Sequence, residues 1–313
     1  MKIGLIDLDN TGKFPNLALM KISSYYKSKG HQVEWYQQML SVEYDIVYVS
    51  KVFSWSKDYQ YPIHSKKVIY GGVAYGYDNK LPYEIEHSCP DYSIYSYVKN
   101  TAYGFLTRGC PRGCSFCNVQ AHQGNISKKV ADLKEFWNGE REIKLLDPNI
   151  LACKEWKVLF QQLVDSNAWI DFTQGLDIRL LTKEIADYLN KMKIKQIHFA
   201  WDQYEMKSFE KLKEVRKWLN FDSRKLRVYL LVNYNTTFEQ DLDRIMKLRY
   251  LEYSPYVMRF KDYNCQNPKL SLGNIYNKLA RWCNNVALWR SNNTFEEYLK
   301  KSCVIKKNIV GGV

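Results

Sequence analysis

Three cysteines fall within eight residues, Cys110-Pro-Arg-Gly-Cys114-Ser-Phe-Cys117, directly after the run Tyr103-Gly-Phe-Leu-Thr-Arg-Gly. Thiols at C-x-x-x-C-x-x-C spacing, on a loop leaving a short apolar strand, can reach one metal centre together. Soft thiolates select zinc, copper(I) or an iron–sulfur cluster. Structural zinc closes its shell with four protein ligands, and an ordinary 4Fe–4S cluster takes four cysteines. Three close ligands therefore imply a centre with one open coordination position. A zinc knuckle needs a fourth ligand nearby, and His122 is the one local candidate. Gly109 and Gly113 relieve the backbone of a tight wrap, and Arg108 and Arg112 bring positive charge to the thiols.

The elements that would carry this loop alternate between strand and helix. Residues 2–8 form an apolar strand, 17–29 a helix ending at Gly30, and 32–36, 44–50 and 67–70 further strands, the last running into Gly71-Gly72. Such alternation indicates a parallel sheet, and a glycine pair after a strand permits close approach of backbones. From residue 101 a strand–helix unit repeats. Strands fall at 103–107, 142–146, 170–173, 196–200, 227–232 and 256–260. Helices fall at 128–137, 154–164, 181–192 with Thr182 as N-cap, 206–218 and 239–248. The 154–164 helix sets Trp156, Leu159, Phe160 and Leu163 on one face.

The cysteine spacing, Phe116 before the third cysteine and the strand-then-loop context resemble the radical S-adenosylmethionine (SAM) superfamily. The resemblance covers residues 100–262 and implies a partial (β/α)6 TIM-like barrel. It also implies that Cys110, Cys114 and Cys117 hold three irons of a 4Fe–4S cluster whose fourth iron binds SAM. Reductive cleavage of SAM would then give a 5′-deoxyadenosyl radical that takes hydrogen from a substrate, with a flavodoxin or ferredoxin as reductant. Phe116 would pack near the adenine. Asp147 and Asn149, after the second strand, would meet the SAM ammonium, where many members carry Gly-Gly-Glu. Gln174, Arg179 and Asp202 are candidates for the SAM carboxylate and ribose hydroxyls, and Asn233 for the adenine. No acid or base is assigned, and the substrate is not named by the fold.

The first hundred residues resemble the cobalamin-binding Rossmann-like domain that precedes many such cores. They depart from it after the first strand, where Asp7-Leu-Asp-Asn-Thr-Gly-Lys-Phe-Pro-Asn has no histidine for cobalt. Cobalamin is therefore expected not to bind, and the domain to be a scaffold. The fold class is thus α/β: a Rossmann-like parallel sheet over 1–98, a radical SAM core over 99–265 and a basic, mainly helical segment over 266–313.

Charge is uneven. Of the net +13, residues 266–313 hold 8 basic and 2 acidic residues, a density suited either to a solvated helix face or to a polyanion. With Tyr276, Trp282 and Trp289 nearby, the segment suggests a second reading: a non-catalytic iron–sulfur protein that binds nucleic acid or senses redox state. No segment approaches the ~20 apolar residues of a membrane span. Acidic Asp7 and Asp9 interrupt any leader-like run, so a cytoplasmic protein with reduced thiols is expected. The remaining cysteines, Cys89, Cys153, Cys265, Cys283 and Cys303, are too dispersed for a second cluster and are expected to be buried thiols.

Overall fold

The computed structural model describes residues 1–10, 14–38, 43–260 and 273–310, with backbone only for 273 and 303–310. The chain divides into two units, Met1–Gln174 and Gly175–Val313. Both are α/β, built from parallel strands and helices.

The first unit opens with a four-stranded sheet of β1 (Lys2–Asp7), β2 (Gln32–Trp35), β3 (Tyr44–Ser50) and β4 (Ser65–Gly71), in the order β2-β1-β3-β4 and parallel throughout. β1 is an unbroken apolar run because it is buried on both faces, as central parallel strands are. Helix α1 (Leu17–Ser28) crosses from β1 to β2, and its Leu19 and Ile22 pack on Ile3 and Leu5. Asn16 caps it: the side chain accepts from Leu19 N at 3.2 Å and donates to Ser50 Oγ at 2.8 Å. That second bond ties the helix start to the end of β3. Gly72 has φ +98°, and a Cβ there would lie 2.3 Å from the Lys51 carbonyl oxygen. Of the glycine pair only Gly72 serves this close approach, since nothing lies within 4 Å of a Cβ at Gly71.

A short helix α2 (Tyr83–Glu86) precedes a second set of strands: β5 (Thr101–Gly104), β8 (Glu142–Leu145) and β9 (Trp169–Leu176), paired in parallel in that order. Between β5 and β8 lie β6 (Thr107–Arg108), α3 (Val119–Gln123) and β7 (Lys128–Lys129), and β6 and β7 form an antiparallel ribbon. The helix expected at 128–137 is absent. Residues 128–129 are β7, and Leu133–Glu135 is a single 3₁₀ turn closed by a capping box between Asp132 and Glu135. The reason is tertiary: Lys128 and Lys129 pair with Arg108 and Thr107, and Phe136 is laid directly over Gly104. Helix α4 (Trp156–Ser166) follows, with Leu159, Phe160 and Leu163 buried as their spacing requires.

The second unit holds β10 (Lys193–Ala200), β11 (Leu226–Val232) and β12 (Ser254–Arg259), again parallel and in order. Its helices are α5 (Lys183–Lys191), α6 (Met206–Arg216), α7 (Phe238–Tyr250), α8 (Gly273–Asn284), α9 (Val286–Ser291) and α10 (Phe295–Val310). Thr182 caps α5 by accepting from Ile185 N at 3.3 Å. The described part of the C-terminal segment, 273–310, is mainly helical, and Tyr276, Trp282 and Trp289 are buried in it. Arg249 of α7 lies 3.6 Å from the Trp289 ring centroid and donates to the carbonyls of Trp289 (2.7 Å) and Asn292 (3.0 Å). These aromatics are therefore packing residues and offer no stacking platform for bases. No helix among the described residues is long and apolar enough to cross a membrane.

Candidate metal centre

The cysteine loop is defined at its base. β5 delivers the chain to Leu106 and Thr107, the β6–β7 ribbon closes the two ends of the loop, and Asp147 straps the entering end. Asp147, at the end of β8 and 4% exposed, accepts from Leu106 N at 3.3 Å, from Thr107 N and from Thr107 Oγ1 at 2.7 Å. Burial pushes its pKa up to about 6, against the lowering effect of the Thr107 hydrogen bonds. Sequence reasoning missed both the strap and Thr107. An aspartate at a strand end is legible, but its partner forty residues earlier is not.

Within the loop, Gly109 takes φ +89°, and a Cβ there would sit 2.2 Å from the Ile126 carbonyl oxygen. Cys110 N donates to the Gly124 carbonyl at 3.1 Å, and Gln120 Nε2 donates to the Cys110 carbonyl at 3.1 Å. Cys117 N closes a turn on the Cys114 carbonyl at 3.0 Å. Gly113, by contrast, has ordinary φ, and the nearest atom to a Cβ there is the Gln120 side chain at 3.8 Å, so no conformational demand fixes a glycine at 113. Cys110 and Cys114 are half-buried and Cys117 is exposed. The three share one loop, yet among the described residues no three His, Cys, Asp or Glu side chains are gathered as a ready-made metal cage. His122, on α3, has its ring 5.4 Å from Tyr77, and burial followed by the Arg108 charge pushes its pKa down.

The donor set suits a thiolate-bound cluster. Three sulfurs lie on a loop anchored at both ends, and a buried amide is aimed at one of them: Asn149 Nδ2 is 3.5 Å from Cys110 Sγ. Asn149 is thus brought to the cysteines, and Asp147 to their supporting strand. Phe116 is half-buried on the loop itself. Arg108 pairs with Glu86 at 3.3 Å and lies 4.0 Å from the Phe105 ring centroid, so part of its charge is already engaged. Gln174 is exposed near the end of β9.

Arg179, Asp202 and Asn233 belong to the second unit. Arg179 is exposed and grips Asp177, with Nε at 2.7 Å from Oδ1 and an amino group at 3.2 Å from Oδ2. Asp202, just past β10, has a buried Oδ1 with no hydrogen-bond partner. Burial raises its pKa, and Arg244 opposes the shift. Asn233, past β11, takes φ +62° and donates its N–H to Asp241 Oδ2 at 2.9 Å. Behind both strand ends lies a buried ion pair missed from sequence: Arg244 to Asp241 Oδ1 at 2.6 Å, both fully enclosed. Arg244 also donates to the carbonyls of Trp201 and Leu231, and Tyr276 donates to Asp241 Oδ2 at 3.1 Å. A signal for it exists in the sequence, since positions 241, 244, 245 and 248 share the buried face of α7.

Of the other cysteines, Cys153 and Cys283 are buried, as expected, whereas Cys89 is exposed. Cys265 and the side chain of Cys303 lie outside the described residues, as do residues 11–13 of the stretch after β1.

No protein-family model matches the chain, and no curated protein matches it. A solved structure does: TsrM from Kitasatospora setae, a radical SAM methyltransferase with cobalamin and a 4Fe–4S cluster bound. The TM-score is 0.63 over 82% of this chain and 74% of that one, at 11% identity. The two proteins share a fold. This overturns the expectation that cobalamin is excluded, because a protein of this fold carries it. The expectation rested on the missing histidine after β1, and the absence of that one residue type does not exclude the cofactor from this fold.

Proposed function

We propose that the chain is a radical SAM enzyme whose residues 99–265 form a partial (β/α)6 barrel, preceded by a Rossmann-like domain over 1–98 and followed by a helical segment over 266–313. The observation that carries this is the three-cysteine loop at the end of β5, on a fold shared with a radical SAM methyltransferase. Cys110, Cys114 and Cys117 would hold the cluster. Such a cluster would supply the electron for reductive cleavage of the SAM carbon–sulfur bond. Asp147 fixes the loop through Thr107, and Asn149, beside Cys110, would meet the SAM amino group. Asp202 offers a buried carboxylate oxygen to hydroxyl donors such as a ribose, since a buried acceptor without a partner is costly until a ligand satisfies it. Phe116, Gln174, Arg179 and Asn233 complete the proposed SAM contacts, and a small electron-transfer protein supplies the reductant.

Anaerobic reconstitution tests this. The protein should take up about four irons and four sulfides, as a 4Fe–4S centre requires. With dithionite and SAM it should release 5′-deoxyadenosine. Stoichiometric zinc without iron in protein purified anaerobically would exclude it.

A corrinoid in the N-terminal domain is the second element of the proposal. Asp9 accepts from Val52 N, from Phe53 N at 3.4 Å and from the Ser56 hydroxyl, pinning the loop after β3. On that loop Phe53 and Trp55 stack at 4.7 Å and 15°, with Trp55 73% exposed. They stand at the carboxyl end of a sheet whose order reverses between β1 and β3, the place where open α/β sheets bind ligands. Equilibrium dialysis with hydroxocobalamin should show retention that falls when Trp55 is changed to Ser. No retention by the unaltered protein would remove the corrinoid from the proposal.

A further inference from the structure

Asn149 is 3% exposed and its position is fixed from two sides. The Ser127 hydroxyl donates to its carbonyl at 2.8 Å, and Ala152 N donates to the same oxygen at 3.2 Å. Cys110 is fixed independently through Gly124 and Gln120. The 3.5 Å contact from Asn149 Nδ2 to Cys110 Sγ therefore joins two groups whose backbones are each held elsewhere. An N–H aimed at a sulfur stabilises negative charge on it. Hydrogen bonds to the sulfurs are one of the levers by which a protein sets the potential of an iron–sulfur cluster.

We infer that Asn149 is a positioning and tuning residue that raises the reduction potential of the cluster by donating an N–H···S bond to Cys110. This rests on the cluster reading given under Proposed function. The added electron of the reduced state increases negative charge on the ligand sulfurs, so a donor there favours reduction.

The test is an EPR-monitored redox titration of anaerobically reconstituted protein, with iron measured in each sample. In Asn149→Leu the reduced-to-oxidised ratio at fixed potential should fall about tenfold, which is about 59 mV lower for one electron. Asn149→Asp, similar in shape but with charge in place of the donor, should fall further. A full iron complement with an unchanged midpoint in both variants would overturn the inference. Should either variant lose iron, the unaltered protein labelled with ¹⁵N-asparagine decides: the reduced cluster should show a ¹⁵N hyperfine coupling, and its absence overturns the assignment. Failure of the unaltered protein to build any cluster would instead refute the underlying reading.

Discussion

Replacing Asp147 by asparagine should change the pH dependence of stability in a defined direction. Burial raises the folded-state pKa of Asp147 from 3.8 to about 6. The sign follows from proton uptake. Between these values the unfolded chain has lost the proton while the folded chain keeps it, so stability falls as pH rises. The fall is about 1.36 kcal/mol per pH unit, about 3 kcal/mol in all, and it is complete above the folded pKa. The introduced amide does not titrate, so the Asp147→Asn variant lacks this slope. It also replaces one accepting oxygen by an amino group, leaving Leu106 N or Thr107 N without its acceptor at a cost of about 1–3 kcal/mol. The variant should therefore be less stable than the parent near pH 4 and close to it, or ahead, at pH 7. Urea unfolding of both full-length proteins at intervals between pH 4 and 7 measures the difference, in which other titrating groups cancel. Parallel stability curves over this range would refute the reasoning and show that Asp147 ionises in the fold as readily as in water.

Three further outcomes are expected. Cys110→Ala, Cys114→Ala and Cys117→Ala should each abolish iron uptake, while Cys153→Ala and Cys283→Ala should not. The Cys153 thiol is held by Glu155 at 3.2 Å with its pKa pushed up to about 11 by burial, and burial likewise raises that of Cys283; metal analysis after anaerobic reconstitution decides. Gly104→Ala should destabilise the protein by about 1–3 kcal/mol through overpacking, because the new methyl would lie 2.3 Å from Phe136 Cγ. Adding Phe136→Leu should recover part of that loss in denaturant unfolding, and a strictly additive double variant would count against the clash. Arg244→Met should cost about 3–5 kcal/mol by leaving the Asp241 carboxylate buried without its cation, and the double change with Asp241→Leu should cost less than the single one.

The sequence alone determined what depends on near neighbours. Cysteine spacing within eight residues placed three thiols on one loop. Apolar runs marked the strands, and the spacing of Leu159, Phe160 and Leu163 marked the buried face of α4. Thr182 was legible as a cap because a cap acts three residues away. Tertiary structure decided whatever joins distant positions. The stretch 128–137 has helical composition, yet pairing of Lys128 and Lys129 with β6 makes it a strand and a turn. Asp147 reaches back forty residues to Thr107, and Asn149 thirty-nine to Cys110. Gly109 is required where Gly113 is not, because only at 109 does another backbone, Ile126, come within 2.2 Å of the missing Cβ. Trp282 and Trp289 resemble a nucleic-acid platform in sequence and are core residues in space, because Arg249 and the helices around them close over both rings. Local spacing fixes which groups can act together, but burial and hydrogen-bond direction arise only when segments far apart in the chain are packed against one another.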